Sequence, residues 1–170
     1  IIHLANVAND PTVELNPNLS WEINVLAAKI MADHAVKNKV KKLIFFSSGS
    51  VYGLKKEKKV TEELKLNPIS VYNKTKMIAE RVFLSFKDKI EVICLRPATV
   101  CGVSERLRLD VTVNKLTFDG FFKKKIFVDG GKQVRPNIHI EDIANIYRHF
   151  LKNPNIQSGC YNAGFENLKI

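Results

Sequence analysis

The feature that most constrains this chain is an apolar run without alternation, Leu43-Ile44-Phe45-Phe46, which ends in Ser47-Ser48. A strand with one wet face alternates apolar and polar residues. A continuous run belongs to a strand covered on both faces, as in a parallel sheet. Another buried strand is expected at Ile90–Leu95, where Arg96-Pro97 stops it, and the chain opens on an apolar, strand-like run, Ile1–Ala5. Between these runs lie two helical periodicities. One covers Leu19–Asn38, with Trp21, Val25, Ala28 and Ala32 among its apolar positions; the other covers Ser70–Phe86, with Ser70 or Val71 near its start. Strands separated by helices of this length imply right-handed βαβ crossovers and an α/β parallel sheet.

The connecting segments read more simply. Asn6–Asn18 is polar and holds two prolines, so a loop is expected, and Gly53–Pro68 is a charged loop. After Pro97 the character changes. Ala98–Asp110 reads as a loop with two arginines and Val111–Phe122 as a helix. Ile126–Val128 and Ile138–Ile140 read as short strands with a Gly130-Gly131 turn between them. Glu141-Asp142 suits the N-terminus of a helix reaching about Leu151, where carboxylates meet the positive end of the dipole. Cys160–Asn162 reads as a last short strand before a turn at Gly164.

At 170 residues, 45% of them apolar, the chain has the size and composition of one folded domain. No apolar run approaches the roughly 20 residues that span a bilayer, so no membrane partner is expected. The net charge of +10 comes from lysine runs at Lys37–Lys42, Lys55–Lys59 and Lys123–Lys125. These fall on expected helix ends and loops without an interleaved aromatic platform. A lysine-rich surface is the better reading, and no nucleic acid partner is expected. Cys94, Cys101 and Cys160 are odd in number and lack metal-ligand spacing, which points to reduced thiols in the cytoplasm and to no metal. The chain starts in mid-strand and stops just after a turn, so sequence is expected to be missing at both ends.

Tyr72-Asn73-Lys74-Thr75-Lys76 carries the chemistry. On a helix the spacing sets phenol and ammonium on one face, about 6 Å apart along the axis. A phenol ordinarily ionises near pH 10, and bringing it to neutrality takes on the order of 4 kcal/mol. A lysine charge one turn away, shielded from water, supplies much of that. Ser48 ends a parallel strand 24 positions earlier, where side chains of open α/β sheets point into the ligand crevice.

Four segments in order and spacing carry a resemblance. They are Ile2-His3-Leu4-Ala5, Ser47-Ser48-Gly49-Ser50-Val51-Tyr52-Gly53, Tyr72 to Lys76, and Arg135-Pro136-Asn137-Ile138-His139-Ile140-Glu141-Asp142. Together they resemble the extended short-chain dehydrogenase/reductases, in the NAD-dependent epimerase/dehydratase branch that acts on nucleotide sugars. The resemblance covers essentially the whole chain. It implies a doubly wound, Rossmann-like parallel sheet without its N-terminal βαβ part and its Gly-rich pyrophosphate turn. A portion of a small C-terminal substrate domain would follow. The catalytic half would be residues 1–103 and the mixed, substrate-binding region 104–170. The implied cofactor is NAD, with NADP not excluded. The implied partner is a nucleotide sugar, and the two long helices resemble those that pair across a homodimer.

Residue by residue, the resemblance makes Tyr72 the general base or acid. Lys76 would tune it and bond the nicotinamide ribose, and Ser48 would hold the reacting sugar oxygen. Ala5 and Pro97 would border the cofactor. Asn114 and Arg135 would hold the nucleotide diphosphate, an arginine fork being suited to phosphate oxygens. Thr99 stands where many relatives carry a substrate-touching Asn. Asn24 matches a helix Asn near the site, or is a surface residue. His139 reads as structural. Arg106 and Arg108 read equally as substrate contacts or solvent-facing charges, in a stretch resembling enzymes of bacterial surface-polysaccharide synthesis.

The shared first step in that family is oxidation at sugar C4. Its dehydratases need an acidic pair directly after the catalytic hydroxyl, and its decarboxylating members usually a Glu. Here those positions are Gly49 and Ser50, which argues against both reactions. C4 epimerisation survives, as do net C4 oxidation and 4-keto-sugar reduction. A protein that binds nucleotide sugar or dinucleotide without turnover is the reading from another class.

Overall fold

The computed structural model describes residues 1–165 and 167–169. The elements run β1 (Ile2–His3), α1 (Asp10–Leu15), α2 (Pro17–Trp21), a π-helical segment (Glu22–Leu26), α3 (Ala27–Lys37), β2 (Lys42–Phe46), a 3-10 turn (Gly49–Tyr52), α4 (Val71–Leu84), β3 (Glu91–Pro97), β4 (Thr99–Cys101), α5 (Thr112–Phe122), β5 (Val134–His139), α6 (Ile140–Lys152), β6 (Gly159–Ala163) and β7 (Asn167–Lys169). They form two units, one of Ile1–Arg96 with Asn153–Asn162, the other of Pro97–Lys152 with Ala163–Ile170.

In the first unit a four-stranded sheet has the order β1-β2-β3-β6. β1 pairs parallel to β2, and β2 parallel to β3 with Ile44 opposite Ile93 and Phe46 opposite Leu95. Leu43, Ile44, Phe45, Val92, Ile93, Cys94 and Leu95 are all buried. Neighbours in sequence point to opposite faces of a sheet, so burial of the whole run means that both faces are covered. One face packs against Ala28, Ala32 and Ala35 of α3 and Ala79 and Phe83 of α4. The small alanines let helix backbone approach the strands, and Phe83 fills the space against Phe45 with ring centroids 4.8 Å apart. The parallel sheet and helical crossovers expected from the sequence are therefore present.

Two expectations change here. Asn6–Asn18 is largely helical rather than a loop. Asn9 Oδ1 accepts the Thr12 N–H and Asn16 Oδ1 accepts the Leu19 N–H, both at 3.0 Å, with a proline in the first turn of each helix. A proline there costs no hydrogen bond and has its φ preset for the helix, so each Asn-led proline segment opens a helix. The helix expected at Leu19–Asn38 begins at Pro17 and is interrupted by the π-helical segment, where the Ala27 N–H reaches back to Glu22 O.

The second unit holds a three-stranded sheet in the order β4-β5-β7. β4 pairs parallel to β5, with Thr99 opposite Asn137 and Cys101 opposite His139. β5 pairs antiparallel to β7. β4 lies inside what the sequence suggests is a loop, and β5 begins four residues before the strand expected at Ile138, while Ile140 already opens α6. Ile126–Val128 is not a strand; three apolar residues make a strand only when an edge pairs with them. Gly102, at φ +121°, lies against His139, where a Cβ would meet the ring nitrogen Nε2 at 2.7 Å. Among the described residues no helix is long and apolar enough to cross a membrane.

Candidate active site

The C-terminal end of β2 delivers Ser47 and Ser48 into a tight turn. Ser48 is extended (φ −158°), and its Oγ caps the 3-10 turn by accepting the Ser50 N–H at 3.2 Å. The Ser48 and Ser50 hydroxyls are also bonded to each other at 2.7 Å. The turn closes on Gly53 at φ +69°, where a Cβ would lie 2.1 Å from Asn67 O. Only glycine satisfies both the angle and that approach.

Helix α4 supplies the other two groups. Ser70 Oγ accepts the Asn73 N–H at 3.2 Å, an N-cap that starts the helix just before Tyr72. Tyr72 is half-buried and Lys76, one turn on, is 2% exposed. The Lys76 ammonium donates to Phe46 O at 2.6 Å, which ties α4 to the residue before the serine pair. It also sits 4.8 Å from the Phe45 ring centroid and 5.8 Å from that of Tyr72, distances at which aromatic faces attract a cation. Burial brings its pKa down to about 7, with the Glu80 carboxylate pulling the other way. His3, from β1, is held below its ordinary range by burial and then by the Lys76 charge.

Glu80 and Arg96 were not singled out from the sequence. Their side chains are 2% and 5% exposed, and they form a bidentate pair: Arg96 Nε donates to Glu80 Oε1 at 2.9 Å and NH2 to Oε2 at 2.8 Å. Ser47 Oγ donates to Glu80 Oε1 at 2.5 Å, and Arg96 NH1 donates to the Tyr52 hydroxyl at 2.8 Å. Although burial opposes it, the Glu80 hydrogen bonds and charge raise the Arg96 pKa. Glu80 follows Lys76 by four residues, like any surface helix glutamate; no local pattern marks it as buried.

Asn24 is buried in the π-helical segment. It accepts the Val7 N–H at 2.8 Å and donates to Val7 O at 3.0 Å and to Thr75 Oγ1 at 3.1 Å. Of its two sequence readings, the surface one is excluded. Asn24 thus fixes the chain just beyond Ala5, which is exposed, against the helix of Tyr72 and Lys76.

The remaining sequence candidates belong to the second unit. Pro97 is buried at the end of β3, and Thr99, partly buried, opens β4. Asn114 spends its amide on backbone, accepting the Gly102 N–H at 2.9 Å and donating to Arg108 O at 3.0 Å. Arg135 is exposed on β5. Arg106 is exposed, and Arg108 forks onto Asp110 at 3.0 and 2.5 Å. His139 packs on Gly102 and accepts the Glu141 N–H at 3.4 Å.

The family model for the NAD dependent epimerase/dehydratase family matches residues 1–164. The chain belongs to that family. Among curated members it is 28% identical to the UDP-glucose 4-epimerase of Lactobacillus helveticus, over all of this chain and 58% of that protein. The uncharacterized UDP-glucose epimerase YtcB of Bacillus subtilis is also 28% identical, over 83% of this chain and 45% of that protein. A solved structure of MoeE5 in complex with UDP-glucuronic acid and NAD superposes with a TM-score of 0.86 at 26% identity, over 99% of this chain and 57% of that one. The chain spans about half the length of these relatives.

For a member of an NAD dependent family, the first unit also holds polar groups suited to an amide-bearing cofactor. Both amide atoms of Asn6, which follows Ala5, and Oδ1 of Asn73, which follows Tyr72, are buried without a hydrogen-bond partner. Buried polar atoms are normally paired, so these amide atoms keep hydrogen-bonding capacity for a ligand.

Proposed function

We propose that this chain is the catalytic part of a nucleotide-sugar 4-epimerase that uses NAD. The observation that carries the reading is the Lys76 ammonium, buried one helical turn from Tyr72 and bonded to Phe46 O beside the Ser47-Ser48 turn. The names of its relatives, UDP-glucose 4-epimerases among them, support the substrate class.

In this reading Tyr72 removes the proton of the sugar C4 hydroxyl and later returns it. The Lys76 charge lowers the cost of holding the phenol as phenolate. Ser48 donates a hydrogen bond to the same sugar oxygen, its hydroxyl oriented by the contact with Ser50. Asn6, Asn73, Ala5, Pro97, Tyr72 and Lys76 would hold the cofactor. When bound, NAD supplies the two-electron oxidation and reduction at C4. Gly49 and Ser50 offer no group able to remove a C5 proton at neutral pH, which favours epimerisation over dehydration. Residues 1–103 would carry this chemistry and residues 104–170 the nucleotide contacts. Arg135 and Thr99 would meet the nucleotide sugar, and Asn114 would act by holding the loop between Gly102 and Arg108.

The same reading includes a homodimer. Trp21, Val25, Leu26, Lys29 and Val82 line a groove on the two helical stretches, flanked by exposed Leu19, Ile23 and Ile30. An apolar face of that kind on a pair of helices suits a second copy.

The test is mass spectrometry of products formed by the complete protein with NAD and a panel of UDP-, GDP-, CDP- and dTDP-sugars. A C4 epimer is expected, of unchanged mass and separated from the substrate by chromatography ahead of the spectrometer. A product lighter by water would replace epimerisation with dehydration, and unchanged turnover by Tyr72→Phe would remove Tyr72 from the chemistry.

A further inference from the structure

Beneath the three proposed reacting groups lies a second set of side chains that touches none of the reacting atoms. Glu80 is its centre. Its carboxylate accepts from Ser47 Oγ at 2.5 Å and from the Arg96 fork at 2.9 and 2.8 Å, and the Cys160 thiol donates to it at 3.7 Å. The third Arg96 bond goes to the Tyr52 hydroxyl at 2.8 Å, which in turn donates to Asn162 Oδ1 at 2.8 Å. Ser47 is the residue before Ser48, and Tyr52 is the last residue of the turn that Ser48 caps. One ion pair therefore grips the serine turn at both ends. Glu80 itself belongs to α4, one turn beyond Lys76 and two beyond Tyr72.

We propose that the buried Glu80–Arg96 pair is a positioning unit that holds Ser48 in register with Tyr72 and Lys76. The proposal rests on the reading of those three as the reacting groups. A buried ion pair is a poor device for stability alone, because apolar residues of similar volume do as well or better. What it offers is direction. A guanidinium fork has fixed donor angles, so Glu80 and Arg96 set the orientation of both turn ends relative to α4. Positioning at this level has catalytic weight, since small misplacements of a reacting group cost rate rather than binding. The pair also acts by charge. The groups around Lys76 are Tyr72 and Glu80 on its own helix, His3 on β1, and Arg96 on β3 through Glu80. Glu80 is the carboxylate that opposes the effect of burial on the ammonium.

The test uses the complete enzyme with NAD and the sugar nucleotide it turns over in the panel above. Tyr72→Phe serves as reference beside Ser47→Ala, Tyr52→Phe and Glu80→Gln. Ser47→Ala and Tyr52→Phe each cut one tie from the turn and leave the ion pair in place. Both are expected to unfold cooperatively, to keep KM within about twofold and to lose about tenfold or more in kcat, the pattern of a group acting on the transition state. Glu80→Gln is expected to shift the alkaline fall of kcat to lower pH, because Lys76 then gives up its proton more easily; a purely structural role would leave the profile in place. If Glu80→Gln fails to fold, the two milder variants decide. An inactive Tyr72→Phe alongside folded Ser47→Ala and Tyr52→Phe proteins of unchanged kcat would overturn the positioning role alone. An active Tyr72→Phe would overturn the underlying reading with it.

Discussion

Asn24 and Thr75 stand 51 positions apart and are joined by a hydrogen bond of 3.1 Å from the Asn24 amide to the threonine hydroxyl. Thr75 Oγ1 passes the link on by donating to Tyr72 O at 2.8 Å. The same Asn24 amide closes a two-way pair with the Val7 backbone. Asn24→Ala leaves both Val7 groups and the threonine without that partner. With about 1–3 kcal/mol for an unsatisfied buried group, the variant should lose roughly 2–3 kcal/mol in urea unfolding. A loss under about 0.5 kcal/mol would mean that water replaces the amide freely.

Lys76 should make stability depend on pH in an unusual direction. Its folded pKa of about 7 lies below the ordinary 10.5, so between those values the unfolded chain binds the extra proton. Stability from this group therefore rises as the pH climbs from about 7 toward 10.5, and below 7 the burial penalty is present in full. Lys76→Met should stabilise the fold at pH 7 by on the order of a few kcal/mol and flatten that rise. Thermal melts of both proteins across this range would check it; parallel curves would place the lysine near its ordinary pKa.

The Glu80–Arg96 pair separates breaking from replacing. Glu80→Leu alone leaves a buried guanidinium without its carboxylate and should cost about 3–5 kcal/mol. Glu80→Leu with Arg96→Met removes both charges and should recover most of that loss. Denaturant unfolding of the two singles and the double gives the coupling energy directly. A double variant as unstable as the sum of the singles would show the two side chains to be energetically independent.

The proposed dimer has a simple signature. Light scattering coupled to size exclusion should give twice the monomer mass, and Leu26→Glu, at a residue 58% exposed on the groove, should halve it. A monomeric unsubstituted protein would end the proposal.

The parallel sheet was legible because Leu43–Phe46 and Val92–Leu95 are apolar at every position, which only burial on both faces explains. Ser70 announced its helix as a cap does. The two short helices at Asp10 and Pro17 were present in the letters too, as Asn followed by Pro within two residues, but prolines in a polar stretch suggest loops more often than helix starts. β4 and β7 escaped because each is three residues long and owes its existence to the β5 edge, a partner the local sequence does not contain. Tyr72 and Lys76 could be recognised because their spacing is helical. Glu80 could not, since its burial depends on Arg96, which arrives 16 residues later on a strand.

The Ala27 N–H reaches five residues back to Glu22, where an α-helix would reach four. The segment Glu22–Leu26 therefore carries one residue more than a regular helix would between the same ends. Deleting one residue there would restore α-helical geometry between the same ends and draw the widened turn that carries Asn24 into the regular helix. Asn24, or whatever took its place, would swing off Thr75 and release Val7. In this stretch the surplus residue aims the side chain, and a protein engineer who idealised the helix would gain regular backbone and lose the link to α4.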